Sequence, residues 1–354
     1  MATGTVEDEA TGRREEEVLA PGTIVASSYR VVRTLGRGGM ATVYLVKHVH
    51  MHKTFALKLL HAEVMESKDI VARFEREAVA SANIEHPNVA RATDFGRIPG
   101  GACFLVLEYI EGLRLRDEIE KGPMSPRRAL SITRQVLSGL GAAHRLGFVH
   151  RDLKPENVML QGRPDGGETA KVLDFGIARA NAHGRGVPSI PQLTLLGTIF
   201  GTPEYMPPEQ ARGVTVDGRA DLYGVGVMLF EMIAGQRPFD GKPMELLTKH
   251  VLVTPPTLTS PRGKVPREVR QLVETLLEKD PNDRYADADA ALEAVERARH
   301  AIGGHTSTSR RPVPGWFERI SREYDVPVKK LRVIALTLAV GIALLVAIVV
   351  LKSI

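Results

Sequence analysis

Hydrophobic and polar positions alternate along the first part of the chain and then give way to a longer period. The runs YRVVRTL, TVYLVKH and TFALKLL, starting at Tyr29, Thr42 and Thr54, predict three short strands separated by glycine-rich or polar turns. Between Lys68 and Asn83 the period lengthens, and Val71, Phe74 and Ala78 share one face of a predicted helix. Strand-like runs over residues 90–95 and 103–110 complete a small antiparallel sheet with one helix. After Glu111 and Gly112 helical periods dominate. Ser125 offers an N-cap, Pro126 suits the first helical position, and Gly147 suits a left-handed stop. Between them Leu130, Val136, Leu137 and Leu140 form the apolar stripe. Further helices are predicted over about 221–234, 244–251, 267–278 and 286–298. The expected fold is α+β: a small sheet-rich lobe over a larger helical one, without internal repeats.

The ends of the chain differ in kind. Residues 1–28 carry six acids against Arg13 and Arg14, a net of −4, and read as a disordered acidic tail without the apolar stretch of a signal peptide. The main domain is expected over 29–298 and a basic linker over 299–332, where eight bases face three acids. Residues 333–351, VIALTLAVGIALLVAIVVL, carry no charge. At a helical rise of about 1.5 Å per residue they span roughly 28 Å, the thickness of a bilayer core. The run has no polar face, so a single transmembrane helix is the expectation rather than a buried core helix. Lys329, Lys330 and Arg332 precede it and only Lys352 follows, which keeps the bulk of the chain in the cytoplasm.

Composition narrows the class. Apolar residues at 43% and charged residues at 25% suit a globular domain. The net charge of +5 arises beside the apolar C-terminal run, which points to a membrane surface, and no basic-aromatic stripe points to nucleic acid. A lone cysteine, Cys103, excludes an intramolecular disulfide and reads as a small core residue.

Three motifs carry chemistry. In Leu35-Gly36-Arg37-Gly38-Gly39-Met40-Ala41-Thr42-Val43 a β-pattern, not a helix, follows the glycines, so they cap a hairpin whose backbone can close over phosphates. Lys58 shares a strand face with Ala56 and Leu60, and Glu77, on the packed face of the helix, is its expected anionic partner. The third motif is His150-Arg151-Asp152-Leu153-Lys154-Pro155-Glu156-Asn157, with Asp174-Phe175-Gly176 seventeen residues after Asn157.

In these motifs, and in GTPEYMPPE and DLYGVGV, the sequence resembles the protein kinase superfamily, and most nearly the bacterial transmembrane Ser/Thr kinases of Hanks type. The resemblance covers roughly residues 29–298. It implies a two-lobed kinase fold and transfer of the γ-phosphoryl group of ATP to protein serine or threonine hydroxyls. Asp152 would accept the hydroxyl proton, and Lys154 would neutralise charge on the γ-phosphate. Lys58, held by Glu77, would meet the α- and β-phosphates. Asn157 and Asp174 would hold Mg²⁺, with Mn²⁺ as the alternative ion. The loop Leu35–Val43 and Ala56 would line the nucleotide, Glu108 and Tyr109 would form the adenine-binding hinge, and Leu107 would be the gatekeeper. Lys154 and Thr202 are the Ser/Thr-type residues at their positions. Glu209 would form a buried ion pair with Arg284. The resemblance further implies a bacterial inner-membrane location and signalling through protein substrates. A second copy of the chain would serve for phosphorylation in trans. Thr194, and after it Thr198, is the expected activating site, with Arg151 pairing the phosphate.

The chain departs from the family pattern at two places: Ala41 replaces the third glycine of the loop, and Pro207-Pro208-Glu209 carries a proline in place of an alanine. A catalytically silent scaffold would lack one of Lys58, Asp152, Asn157 or Asp174, and all four are present. A small-molecule phosphotransferase would lack the platform Gly201–Tyr205.

Overall fold

The structure is a computed structural model, and it describes residues 19–99, 101–175 and 203–303. The acidic residues before Leu19, the segment with Thr194, Thr198 and Thr202, the linker beyond Gly303 and the apolar run 333–351 lie outside the described residues. No described helix is long and apolar enough to cross a membrane.

The alternating runs form an antiparallel sheet of β1 (Ile24–Val25), β2 (Tyr29–Arg37), β3 (Ala41–His48), β4 (Thr54–Leu60), β5 (Ala92–Arg97) and β6 (Cys103–Glu108). Its order is β1-β2-β3-β4-β6-β5. Helix α1 (Lys68–Asn83) lies between β4 and β5 in sequence and packs Val71, Phe74 and Ala78 on the sheet, with the Phe74 and Phe95 rings 5.9 Å apart. Cys103 is fully buried in that cluster, as expected of a small apolar residue. The methyl group of Ala41 is buried there too, so alanine in place of glycine fills space rather than obstructing the loop.

Two predicted boundaries shift. β1 pairs with Tyr29 and Arg30, and the Leu19 amide donates to the Tyr44 hydroxyl at 3.2 Å, so the fold begins ahead of Tyr29. At the other end α8 runs on past Ala298 to Gly303, because Ile302 still packs on the core.

The larger lobe holds α2 (Leu115–Glu120), α3 (Pro126–Arg145), α4 (Pro208–Ala211), α5 (Arg219–Ala234), α6 (Pro243–Leu252), α7 (Arg267–Leu276) and α8 (Ala288–Gly303). Ser125 caps α3, its hydroxyl accepting from the Arg128 amide at 3.3 Å, and Gly147 leaves the helix with a φ of +79°. α5 is buried on every face from Ala220 to Ile233, which is why its sequence has no polar stripe. Gly226 lets α7 approach it: a Cβ there would lie 2.8 Å from that of Leu276. The lobe is not wholly helical. β7 (Leu113–Arg114), β8 (Val158–Gly162) and β9 (Glu168–Val172) form a second antiparallel sheet that the sequence reading passed over. Its strands are short, but Val158, Leu160, Ala170 and Val172 alternate into the core.

Candidate active site

Lys58 lies at the centre of β4, with Val43 of β3 opposite on one side and Leu105 of β6 on the other. Its Nζ is 2.7 Å from Glu77 Oε1 on α1 and 3.3 Å from Asp174 Oδ2. The predicted Lys58–Glu77 pair is therefore formed, and Asp174 joins it from the other lobe. Three charges share one half-buried place. Burial works against the Lys58 ammonium, but Asp174 and Glu77 outweigh it and hold its pKa above the usual lysine range. Burial opposes the Asp174 anion as well, and the neighbouring Lys58 ammonium overcomes it, keeping Asp174 below the usual carboxylate range. Glu77 loses this contest: burial, with the Asp174 anion beside it, pushes it up to about 7 despite Lys58.

The loop between α3 and β8 carries Asp152, whose Oδ2 is 2.9 Å from Lys154 Nζ. The Asn157 side-chain amide donates to the Asp152 carbonyl at 2.8 Å, and the Leu173 amide donates to the Asn157 carbonyl at 2.8 Å. These bonds bring the two predicted metal ligands, Asn157 and Asp174, to one end of the second sheet. His150 ties the parts together. Its Nδ1 accepts the Asp152 amide at 3.3 Å, so Nε2 carries the proton and donates to the Leu173 carbonyl at 2.9 Å. The His150 ring also packs 5.1 Å from that of Phe175. The Asp174 carboxylate and the Asn157 amide oxygen are hard donors suited to Mg²⁺. No group of three or more His, Cys, Asp or Glu among the described residues could hold a metal, so an ion here would complete its shell from phosphate and water.

The other predicted contacts fall around the same cleft. β2 and β3 stay paired as far as Arg37 and Thr42, and the Gly38 amide closes the turn on the Ala41 carbonyl at 2.9 Å. Gly38, Gly39 and Met40 are exposed at its tip, and Leu35, Gly36 and Val43 are half-buried. Ala41 and Thr42 are buried, Thr42 bonding His61 Nε2 at 2.9 Å, so only their backbone can meet a phosphate. Ala56 pairs with Leu107, the expected gatekeeper. The Glu108 carboxylate is held by Lys171 at 2.8 and 2.9 Å, and half-buried Tyr109, the second residue of the expected hinge, follows it. The expected ion pair is formed as well: Glu209 takes both terminal nitrogens of Arg284, each at 2.8 Å. Pro207, the proline that stands for the family's alanine, is the N-cap of α4, and its φ of −69° is the value a proline ring imposes, which accommodates the second departure from the family pattern.

Asp221 escaped the sequence reading as a functional residue. Its buried carboxylate accepts the His150 and Arg151 amides at 2.8 Å each and meets His144 Nε2 at 2.7 Å. Burial alone would raise its pKa, but these bonds, led by His144, hold it below the usual range. The signal available was an acid near the start of an otherwise apolar helix.

The protein kinase domain model matches residues 29–296. The serine/threonine-protein kinase pkn2 of Myxococcus xanthus is 41% identical over 293 residues, covering 82% of this chain and 35% of that protein. Its pkn3 is 39% identical over 288 residues, covering 79% of this chain and 52% of that protein. The chain thus spans between about a third and a half of the length of these relatives. The crystal structure of the Mycobacterium tuberculosis PknI kinase domain matches with a TM-score of 0.61 at 27% identity, over 79% of this chain and 100% of that one. These likenesses extend over the residues that build the cleft, and the chain belongs to the protein kinase family.

Proposed function

We propose that the domain transfers the γ-phosphoryl group of ATP to serine and threonine hydroxyls of proteins. The observation that carries this reading is Lys58 held between Glu77 and Asp174, at 2.7 and 3.3 Å, in a cleft that also presents Asp152 and Lys154. Phosphoryl transfer asks mainly for positioning and for neutralisation of developing negative charge. Asp152 accepts the proton of the acceptor hydroxyl as its oxygen bonds to the γ-phosphorus and the bond to the ADP oxygen breaks. Lys154 faces the charge that develops on the transferred group. Lys58 holds the α- and β-phosphates, and the glycine-rich turn covers them with backbone N–H groups. Mg²⁺, when bound by Asn157 and Asp174, neutralises phosphate charge.

The same proposal extends to residues outside the described ones. Residues 333–351 anchor the domain to a membrane, with the basic flank on the cytoplasmic side. Phosphate on Thr194 or Thr198, added by a second copy of the chain, pairs with Arg151 and orders the segment that presents the protein substrate. The test incubates the full chain in detergent with labelled Mg·ATP and a library of serine, threonine and tyrosine peptides. Transfer to serine and threonine, lost in Asp152→Asn, is expected, with Thr194 or Thr198 labelled in the chain. Transfer restricted to tyrosine, or undiminished in Asp152→Asn, contradicts the reading.

A further inference from the structure

His250, near the end of α6, is a wholly buried imidazole for which phosphoryl transfer has no direct use. Its ring lies edge-on to those of Tyr223 and Phe239, at 5.7 and 5.1 Å. Nε2 is 3.1 Å from the Glu204 carbonyl, and Nδ1 is 2.8 Å from the Tyr223 hydroxyl. A carbonyl only accepts, so Nε2 carries a proton. Burial, with the Lys279 ammonium nearby, pushes the ring's pKa down to about 4, so near neutrality it holds that one proton alone. Nδ1 then accepts from the Tyr223 hydroxyl, and the tautomer is fixed. Lys279 secures the mount: its Nζ donates to the His250 carbonyl at 2.9 Å and lies 4.6 Å from the centre of the Phe239 ring.

The accepting carbonyl belongs to the turn Pro203–Tyr205, the described part of the platform Gly201–Tyr205. That turn is tied to the catalytic loop. The Tyr205 hydroxyl donates to Glu231 Oε2 of α5 at 2.5 Å. Arg116 of α2 bridges Glu231 Oε1 to Glu156, four residues after Asp152, at 2.9 Å each. Glu204 turns its side chain to Arg237, 3.4 Å away. Side chains thus hold the turn at both residues, while the peptide that joins them is held through its carbonyl by the imidazole.

We propose that His250 is a positioning residue for the protein substrate: its Nε2–H sets the Glu204–Tyr205 peptide, and with it the platform against which the acceptor segment is laid. It reaches the reaction only through that peptide bond, so its effect falls on the protein substrate and not on ATP. This deepens the phosphotransfer reading and rests on it.

The test measures KM for Mg·ATP and for a serine peptide with the full chain in detergent. His250→Leu occupies a similar volume and donates nothing. Its KM for the peptide is expected to rise about three- to tenfold, the scale of one lost hydrogen bond, with KM for Mg·ATP unmoved. His250→Gln places an amide donor where Nε2 was and is expected to recover most of the loss. Tyr223→Phe removes the donor that fixes the tautomer and is expected to raise the same KM by a smaller factor. It carries the comparison if the leucine variant does not fold. A purely structural role would lower the folded fraction, and with it kcat, and leave both KM values as they were. An unchanged peptide KM in the folded variants, an equal rise in both KM values, or a glutamine variant no better than leucine overturns the proposal. A wild type that binds Mg·ATP and transfers phosphate to no peptide overturns it together with the phosphotransfer reading.

Discussion

The Asp221 carboxylate lies 2.8 Å from the backbone nitrogen of Arg151, and Arg151 holds a φ of +64°, a left-handed conformation that non-glycine residues rarely adopt. The second oxygen takes the His150 amide. The bend that presents Asp152 is therefore held by an acid on the most deeply buried helix. Asp221→Ala leaves two amides without their acceptor and should cost roughly 2–4 kcal/mol of stability, together with most of the transferase activity. Asp221→Asn keeps one acceptor oxygen and should lose less. Urea denaturation of the three proteins decides it: equal midpoints would mean that the clamp contributes nothing.

Lys58→Met should fold and yet lose roughly 10²–10³ in kcat, the usual scale for one electrostatic group at a phosphoryl-transfer centre. The measurement is initial-rate kinetics at saturating Mg·ATP. A near-normal kcat would remove Lys58 from the phosphate site.

Glu77 gives the nucleotide-free domain a signature in pH. Its pKa is raised on folding from an ordinary 4.5 to about 7. A raised carboxyl pKa contributes stability that is complete below the unfolded value and lost as pH rises through the folded one. Relative to Glu77→Gln, the wild type should therefore lose stability between pH 4.5 and about 7 and level off above. Denaturant titrations of both proteins at several pH values test this, and a difference that grows in favour of the wild type across that window contradicts it.

Arg284 is wholly buried and Glu209 is 5% exposed, so removing one partner strands a charge. Arg284→Met should cost about 3–5 kcal/mol, and adding Glu209→Gln to it should restore part of that loss. A double variant no more stable than Arg284→Met would show that the stranded carboxylate is not the source of the cost.

The sheet of the small lobe and α1 were legible because their periods are set by a single buried face. The cleft was legible because its residues sit in dense local motifs: Asp152, Lys154 and Asn157 within one loop, Asp174 shortly after. Glu77 could be found from Lys58 because a half-buried lysine on an apolar strand face needs an anion. What escaped depends on distance in sequence. β1 and the β8–β9 hairpin are too short to establish a period, and β1 exists only through its pairing with Tyr29 and Arg30. Asp221 reaches Arg151 across seventy residues, and Arg116 reaches Glu231 across 115, so nothing local to either marks the partner.

The union of Asp221 with the loop alters how motion is distributed through the molecule. Loop amides ordinarily exchange with solvent deuterium through small local openings. The amides of His150 and Arg151 donate instead to a carboxylate on α5, which is buried from Ala220 to Ile233. They are released only when the loop parts from that buried carboxylate. Two protons at the centre of the chemistry should thus exchange more slowly than loop amides ordinarily do, and the reaction geometry inherits the rigidity of the helix that holds them.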